Sequence, residues 1–518
     1  MTERVAGILL HPTSLPGPWG AGDFGPGALG FLDWAAEAGF GLWQILPLGP
    51  SAAENSPYTA LSTFAIDPFL ISLEGLVDEG LLDSAEVEAA KVATAPGPGG
   101  RCDFEAMRAA KLPLLRAAWL RCRERTYDDI AQGFTDFCDD TWHRAWLDDW
   151  CLFQALRRRY GNAGWWTWDR PLRDRDPETL AAVHNEQADD VGFERFLQVV
   201  AYRQWQALRQ AAHARGIQVL GDLPIYVALD SAEVWAHPDL FELDADGRPT
   251  AVAGVPPDYY SEDGQLWGNP LYRWQRMAEN GFRFWVERLR ANLEIADLVR
   301  LDHFRGFAGY WSVPADDETA RDGVWETGPG APLFEAFTEQ IGTPLPLIAE
   351  DLGEITDDVH ELRRATGLPS MKVLQFGFDG PGSVHAPHHL EPETLVYTGT
   401  HDNDTTVGWL ESLEEKERAR VLRYVGGRAK TIHRDLTRAA LTSVARWAVV
   451  PMQDVLGLGA EARMNIPGVA EGNWVWRLAR LPGSAEAAWL RQLIELSGRL
   501  VVAEEDPEEA DEARAETS

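Results

Sequence analysis

A chain of 518 residues with 45% hydrophobic and 25% charged side chains has the composition of a soluble globular protein, not of a disordered one. Its 47 Lys and Arg against 81 Asp and Glu leave a formal charge of -34, which repels phosphate backbones and anionic lipid and so excludes nucleic acid and membranes as expected partners. No stretch approaches the roughly 18 apolar residues of a membrane helix, and the apolar run near the amino terminus is too short for a signal peptide. A cytoplasmic protein is expected. Cys102, Cys122, Cys138 and Cys151 form no C-x-x-C pair, which points away from a zinc knuckle or a disulfide framework. Neither a metal nor a cofactor is expected.

Along the chain, "GILLHP" (7–12) opens a series of short strand-like runs, followed by a helical pattern at 27–39 that ends at a glycine stop. "GLWQILPL" (41–48) is the second run. The long interval before the third, with helical stretches at 101–126 and 148–161, predicts a mostly helical inserted subdomain at about 75–190. A further helix at 193–216 leads into "IQVLGDLPI" (217–225). The segment 244–272, dense in Gly, Pro and aromatics, is expected to be a structured loop, placing an active-site loop insertion at about 240–275. Then come "DLVRLDHF" (297–304), "LPLIAEDL" (345–352), "MKVLQFGF" (371–378), "LVYTGTHDND" (395–404) and "WAVVPMQDVL" (447–456). Eight strands alternating with helices predict an α/β fold, a (β/α)₈ TIM barrel with large helical and loop insertions. A single catalytic unit over 1–502 is expected, with 503–518 as an acidic disordered tail.

Within "LVRLDHFRG" (298–306), Arg300 and Asp302 share one strand face while Val299 and Leu301 take the other. Two readings of the pair are open: a structural ion pair, or a carboxylate held ionised for chemistry. The other strand ends are acidic as well, with Asp222 at the third, Glu350 and Asp351 at the fifth, His401, Asp402 and Asp404 at the seventh and Asp454 at the eighth. Any one of these suits an N-cap or a turn, Asp351 and Asp404 best of all. Acids from so many strands on one barrel rim suit glycosidic bond chemistry, in which a retaining enzyme needs an ionised nucleophile and a protonated acid about 5 to 5.5 Å apart. Arg300 would lower the Asp302 pKa, and the apolar neighbours of Glu350 would raise its own. Asp402 would grip sugar hydroxyls, with His303 and His401 as hydroxyl donors. Among 22 tryptophans, the loop-borne Trp19, Trp165, Trp166, Trp168 and Trp267 are either core or sugar-stacking surface.

"RLDHFRG", "IAEDLG" and "YTGTHDNDT", in that order, resemble the conserved regions of the α-amylase clan, and within it the 4-α-glucanotransferases known as amylomaltases or disproportionating enzymes. "GILLHPTSLPG", "SPYTALSTFA", "GDLPIYVALDSAEVWAHPDLF", "GVPPDYYSEDGQLWGNPLY" and "EGNWVWR" extend the resemblance over about residues 5 to 500. It implies transfer of α-1,4-glucan segments to a glucan or glucose 4-hydroxyl, with maltooligosaccharides and α-1,4-glucans as partners. It further implies Asp302 as nucleophile, Glu350 as acid/base and Asp402 as transition-state stabiliser, with Arg300, His401 and Asp222 binding substrate. Tyr259, Tyr260, Trp267 and Asn269 fall in a segment similar to the family's lid, and Tyr58 in one associated with outlying glucan contacts. The third run has "DLPIYV" where most α-amylases carry a His, a departure that fits amylomaltases better. A hydrolase of the same clan, a metal-dependent barrel hydrolase and a non-catalytic glucan-binding protein are the alternatives.

Overall fold

The computed structural model describes residues 4–52, 55–93, 101–125, 129–257 and 262–501. Twelve strands occur among them: β1 (Val5–Leu9), β2 (Leu42–Gln44), β3 (Gln218–Leu223), β4 (Ala251–Val255), β5 (Gln265–Pro270), β6 (Leu298–Leu301), β7 (Gly309–Pro314), β8 (Val324–Thr327), β9 (Leu347–Ala349), β10 (Ser370–Val373), β11 (Thr394–Tyr397) and β12 (Trp447–Pro451). Eight of them form one parallel sheet in the order β10-β11-β12-β1-β2-β3-β6-β9, one strand from each run read in the sequence. The two ends of this sheet meet where the Ala349 amide donates to the Pro369 carbonyl at 3.0 Å, so the eight strands wrap into a barrel. Strands buried on both faces need apolar residues at nearly every position, and β1, β11 and β12 are buried throughout.

The helix Pro26–Ala38 ends at Gly39, whose φ of 86° is a left-handed cap that glycine adopts without strain. Between β2 and β3 the described residues from Leu73 to His213 are mostly helical, including Phe104–Cys122, Thr141–Arg159 and Ala188–His213. The segment 244–272 departs from the loop expected of it. It contributes β4 and β5 to an antiparallel sheet ordered β5-β4-β7-β8, and neither β7 nor β8 stands out in the sequence. Its two central strands pair across nearly sixty residues of chain (Ala253 with Ser312), so a local composition rich in Gly and Pro hides a pairing that only distant residues complete. The run 371–378 is likewise only half strand, since beyond Val373 it turns into a 3-10 helix, Leu374–Phe378.

Arg499 closes the floor of the barrel. Fully buried, it donates to the carbonyls of Leu441 (2.6 Å), Val5 (3.1 Å), Arg446 (3.0 Å), Ser443 (3.2 Å) and Ala445 (2.6 Å) at the entry to β1 and β12. Arg4 also donates to the Leu441 and Ser443 carbonyls and the Val5 amide to that of Arg446. Replacement of Arg499 by Met would therefore take the side-chain donor from the carbonyls of Val5 and Ala445 above all, at about 1 to 3 kcal/mol for each acceptor left unpaired and out of reach of water. Arg499→Met is therefore expected to lower the thermal unfolding midpoint by several degrees in differential scanning calorimetry. An unchanged midpoint would mean that the carbonyls find other donors.

Candidate active site

The barrel register sets the site. Asp222 on β3 lies opposite Arg300 on β6, and Leu301 lies opposite Ala349 of β9. The ladder continues one residue past each strand, with the Asp302 amide donating to Leu223 O at 3.0 Å and the Glu350 amide to Leu301 O at 3.1 Å. Asp302 and Glu350 thus leave neighbouring strands at one level, a backbone spacing of about 4.8 Å. His303 follows with φ 54°, an uncommon conformation for a non-glycine residue, and its amide donates to Glu350 Oε2 at 2.7 Å. The Leu352 amide donates to Glu350 Oε1 at 2.9 Å.

Arg300 is the hub. Its Nη1 reaches both Asp222 oxygens at 2.8 Å and Asp302 Oδ1 at 2.9 Å, and its Nη2 reaches Asp302 Oδ1 at 2.7 Å. The Arg300 and Asp222 side chains are sealed, at 4% and 0% exposure, while Asp302 keeps 27% open towards solvent. One guanidinium therefore holds two carboxylates, a buried one beneath and a reachable one above. Asp402, its side chain 43% exposed, lies 3.3 Å from His401 Nε2.

Electrostatics separates the three acids. Burial pushes the Glu350 carboxyl up to about 8, and the Asp302 charge adds to this against the opposing pull of Arg300. Burial also raises Asp302, to about 6, although Arg300 works the other way. Arg300 does lower the Asp302 pKa, as its place on the same strand face predicts, but burial outweighs it and the neighbouring Asp222 charge raises the carboxyl further, so the net shift is upward. For Asp402 burial is outweighed, and His401 with Asn465 holds the carboxyl well below the usual range. Such a set contains one group that stays protonated near neutrality and two that ionise, as donation to a leaving oxygen beside an anionic nucleophile requires.

The remaining predicted residues divide. Tyr58 is not outlying, as its segment suggested: its hydroxyl donates to Asp222 Oδ2 at 2.7 Å and its ring stacks on His401 at 5.1 Å. Trp267 is 37% exposed and meets His303 edge-on at 4.8 Å. Asn269 spends its amide on the Val227 carbonyl, 3.0 Å away, and so braces the β5 strand. Tyr259 and Tyr260 lie outside the described residues. Trp19, Trp165 and Trp168 are core. Neither Asp404 nor Asp454 is the N-cap of its own helix: Asp404 accepts from the amide of Thr405, the residue that caps Thr406–Ser412, at 2.7 Å, and Asp454 ties the seventh and eighth strand ends together by accepting from Thr398 and Thr406 at 2.6 to 2.7 Å. Asp351 likewise ties β9 to β10, accepting from the Met371 amide at 2.8 Å with Lys372 and Arg363 each at 3.3 Å. Among the described residues, no group of three or more His, Cys, Asp or Glu side chains is placed to hold a metal ion.

The sequence pattern of the 4-alpha-glucanotransferase family matches residues 10–482 of this chain. The 4-alpha-glucanotransferase of Thermus thermophilus is 47% identical over 486 residues, covering 92% of this chain and 95% of that one. The chain belongs to the 4-alpha-glucanotransferase family. The family member from Synechocystis sp. is 45% identical over 481 residues, with 92% of this chain and 94% of that one covered. Among solved structures, an amylomaltase from Streptococcus agalactiae in complex with acarbose superposes with a TM-score of 0.91 at 34% identity, over 96% of this chain and all of that one.

Three residues of this 4-alpha-glucanotransferase site escaped the sequence reading. Asn465 donates to Asp402 Oδ1 at 2.6 Å, and its amide donates to the His401 carbonyl at 3.1 Å. Arg463 donates to the Asp402 carbonyl at 2.7 Å. Trp474, at φ 63°, packs against Tyr58 and His401 at 5.7 and 5.8 Å. Trp474 stands in "EGNWVWR", where the family resemblance was the available signal. Asn465 and Arg463 lie in "ARMNIPG", a stretch with no periodicity and no acid at a strand end to mark it.

Proposed function

We propose that this 4-α-glucanotransferase moves α-1,4-glucan segments from a donor to the 4-hydroxyl of an acceptor glucan or glucose by a retaining double displacement. In the first step the Asp302 carboxylate attacks the anomeric carbon while Glu350 gives its proton to the departing 4-oxygen, leaving a glycosyl-enzyme ester. In the second, Glu350 takes the proton of an incoming 4-hydroxyl, whose oxygen displaces Asp302. Asp402 accepts hydrogen bonds from the sugar hydroxyls and favours the flattened, oxocarbenium-like ring. Arg300 and Asp222 keep the nucleophile aimed, and His303 and His401 act as hydroxyl donors; burial holds the His303 imidazole down at about 4.

One observation carries this reading: Arg300 grips Asp302 on the strand adjacent to a buried, proton-retaining Glu350. Transfer in preference to hydrolysis is supported by the family, with the β5 segment around Trp267 read as part of an acceptor-binding lid that limits water. Maltooligosaccharides and longer α-1,4-glucans are the proposed substrates. Cys102, Cys138 and Cys151 are free thiols, which supports a reducing compartment, the cytoplasm. Among the described residues no helix is long and apolar enough to cross a membrane. Incubation with maltotriose is expected to give glucose and a ladder of longer glucans. A mixture of shorter sugars with no ladder would assign a hydrolase instead.

A further inference from the structure

The edge of the antiparallel sheet carries an aromatic surface that the proposed mechanism does not use. Trp311 on β7 and Trp325 on β8 are direct cross-strand partners, with ring centroids 5.3 Å apart and planes at 69°. The two sit differently. Trp311 is half-buried and donates its indole N–H to the Ala320 carbonyl at 2.7 Å, whereas Trp325 is 41% exposed. The Arg305 guanidinium lies 4.0 Å over the centre of the Trp325 ring. Arg305 is itself buried, donating to the Glu354 carbonyl at 2.9 Å and to Thr356 Oγ1 at 2.8 Å. One ring face is thus covered by a fixed cation and Trp311 packs against the same ring, yet the indole keeps 41% of its surface open to solvent.

An exposed indole held in this way loses little side-chain freedom when a ligand stacks on it. What stacks follows from shape and charge. A net charge of -34 disfavours anionic ligands near the surface, and a pyranose ring offers a flat, neutral face of C–H groups matched to an indole. The surface is also built on the elements that follow the catalytic carboxylates. Arg305 stands three residues after Asp302, its hydrogen bonds fall on the loop that follows Glu350, and β7 begins directly after the helix Arg305–Ala308.

We propose that Trp325, backed by Arg305 and Trp311, is an accessory binding platform on which one sugar ring of a long α-1,4-glucan stacks while another part of the same chain occupies the active site. This rests on the reading of the protein as an α-glucan enzyme. A platform of this kind acts on long chains and leaves short ones unaffected, since a trisaccharide held in the active site has no ring left over to stack.

The test compares Trp325→Ala and Trp325→Phe with the parent protein, all as full chains, by retardation in native gels containing soluble amylose and by kcat/KM for maltotriose disproportionation. Loss of one stacking surface is expected to raise the apparent Kd for amylose about 3- to 10-fold in Trp325→Ala. Trp325→Phe should keep most of the affinity, and kcat/KM on maltotriose should stay within about twofold in both. Equal retardation of Trp325→Ala and parent overturns the proposal. So does an equal loss on amylose and maltotriose, which would make the ring a structural support, or a change in sedimentation of Trp325→Ala, which would make the surface a contact between copies of the chain. Failure of the parent to disproportionate maltotriose would count against the proposed function alone, because the amylose comparison still reads the platform.

Discussion

Asp302→Asn is expected to lower turnover on maltotriose by about 10³-fold or more while the protein folds normally, because an amide cannot form the glycosyl ester. A factor of 10³ is about 4 kcal/mol of transition-state stabilisation, the scale of losing the covalent step and not of a nudged substrate. Folding should survive for a structural reason. Removal of one partner from a buried ion pair is costly when the other charge is stranded, but here Arg300 keeps Asp222, with both carboxylate oxygens at 2.8 Å. The asparagine oxygen can still accept from Arg300, so the local geometry persists. Circular dichroism and the thermal midpoint should match the parent. A fall in turnover of less than tenfold would place the nucleophile elsewhere.

Glu350→Gln is expected to cost about 10² to 10⁴-fold on maltotriose, the usual range for a general acid and base. The loss should depend on the leaving group. From a glycosyl fluoride, fluoride leaves with the C–F electron pair and needs no proton, so formation of the glycosyl-enzyme from α-maltotriosyl fluoride should be largely spared in the variant, while its turnover by transfer stays slow for want of a base. An equal loss on both donors in a single-turnover assay would argue that Glu350 only binds. The pH profile supplies a second reading of the same residue. Glu350 must carry its proton for the first step, so kcat/KM of the parent should fall as pH rises through about 8. Asp302 must be ionised, so it should also fall as pH drops through about 6. The alkaline limb should vanish in Glu350→Gln and the acid limb remain.

The eight barrel strands were legible because each is a short apolar run bounded by helix, and the signal of a strand buried on both faces is local. The acids at the strand ends were legible for the same reason: once the barrel is granted, a position in the run fixes a position on the rim. The antiparallel sheet was not, since β4 and β7 stabilise each other across a long stretch of chain and neither reads as a strand by itself. Asn465 escaped for a similar reason. Its hydrogen bond to Asp402 spans 63 residues and leaves no trace in its own neighbourhood. Tyr58 was seen, but its place was not.

By itself the sequence determined the alternation of strands and helices, the carboxylates on the rim, and the family. These depend on residue type and spacing, which the chain carries in any conformation. Only the tertiary structure decided how those groups behave: that Arg300 is divided between Asp222 and Asp302, that Glu350 keeps its proton while Asp402 loses it, and that Tyr58 stands against His401. Burial and charge set a carboxyl's pKa through neighbours that arrive from other strands, and no local pattern encodes which neighbours those will be.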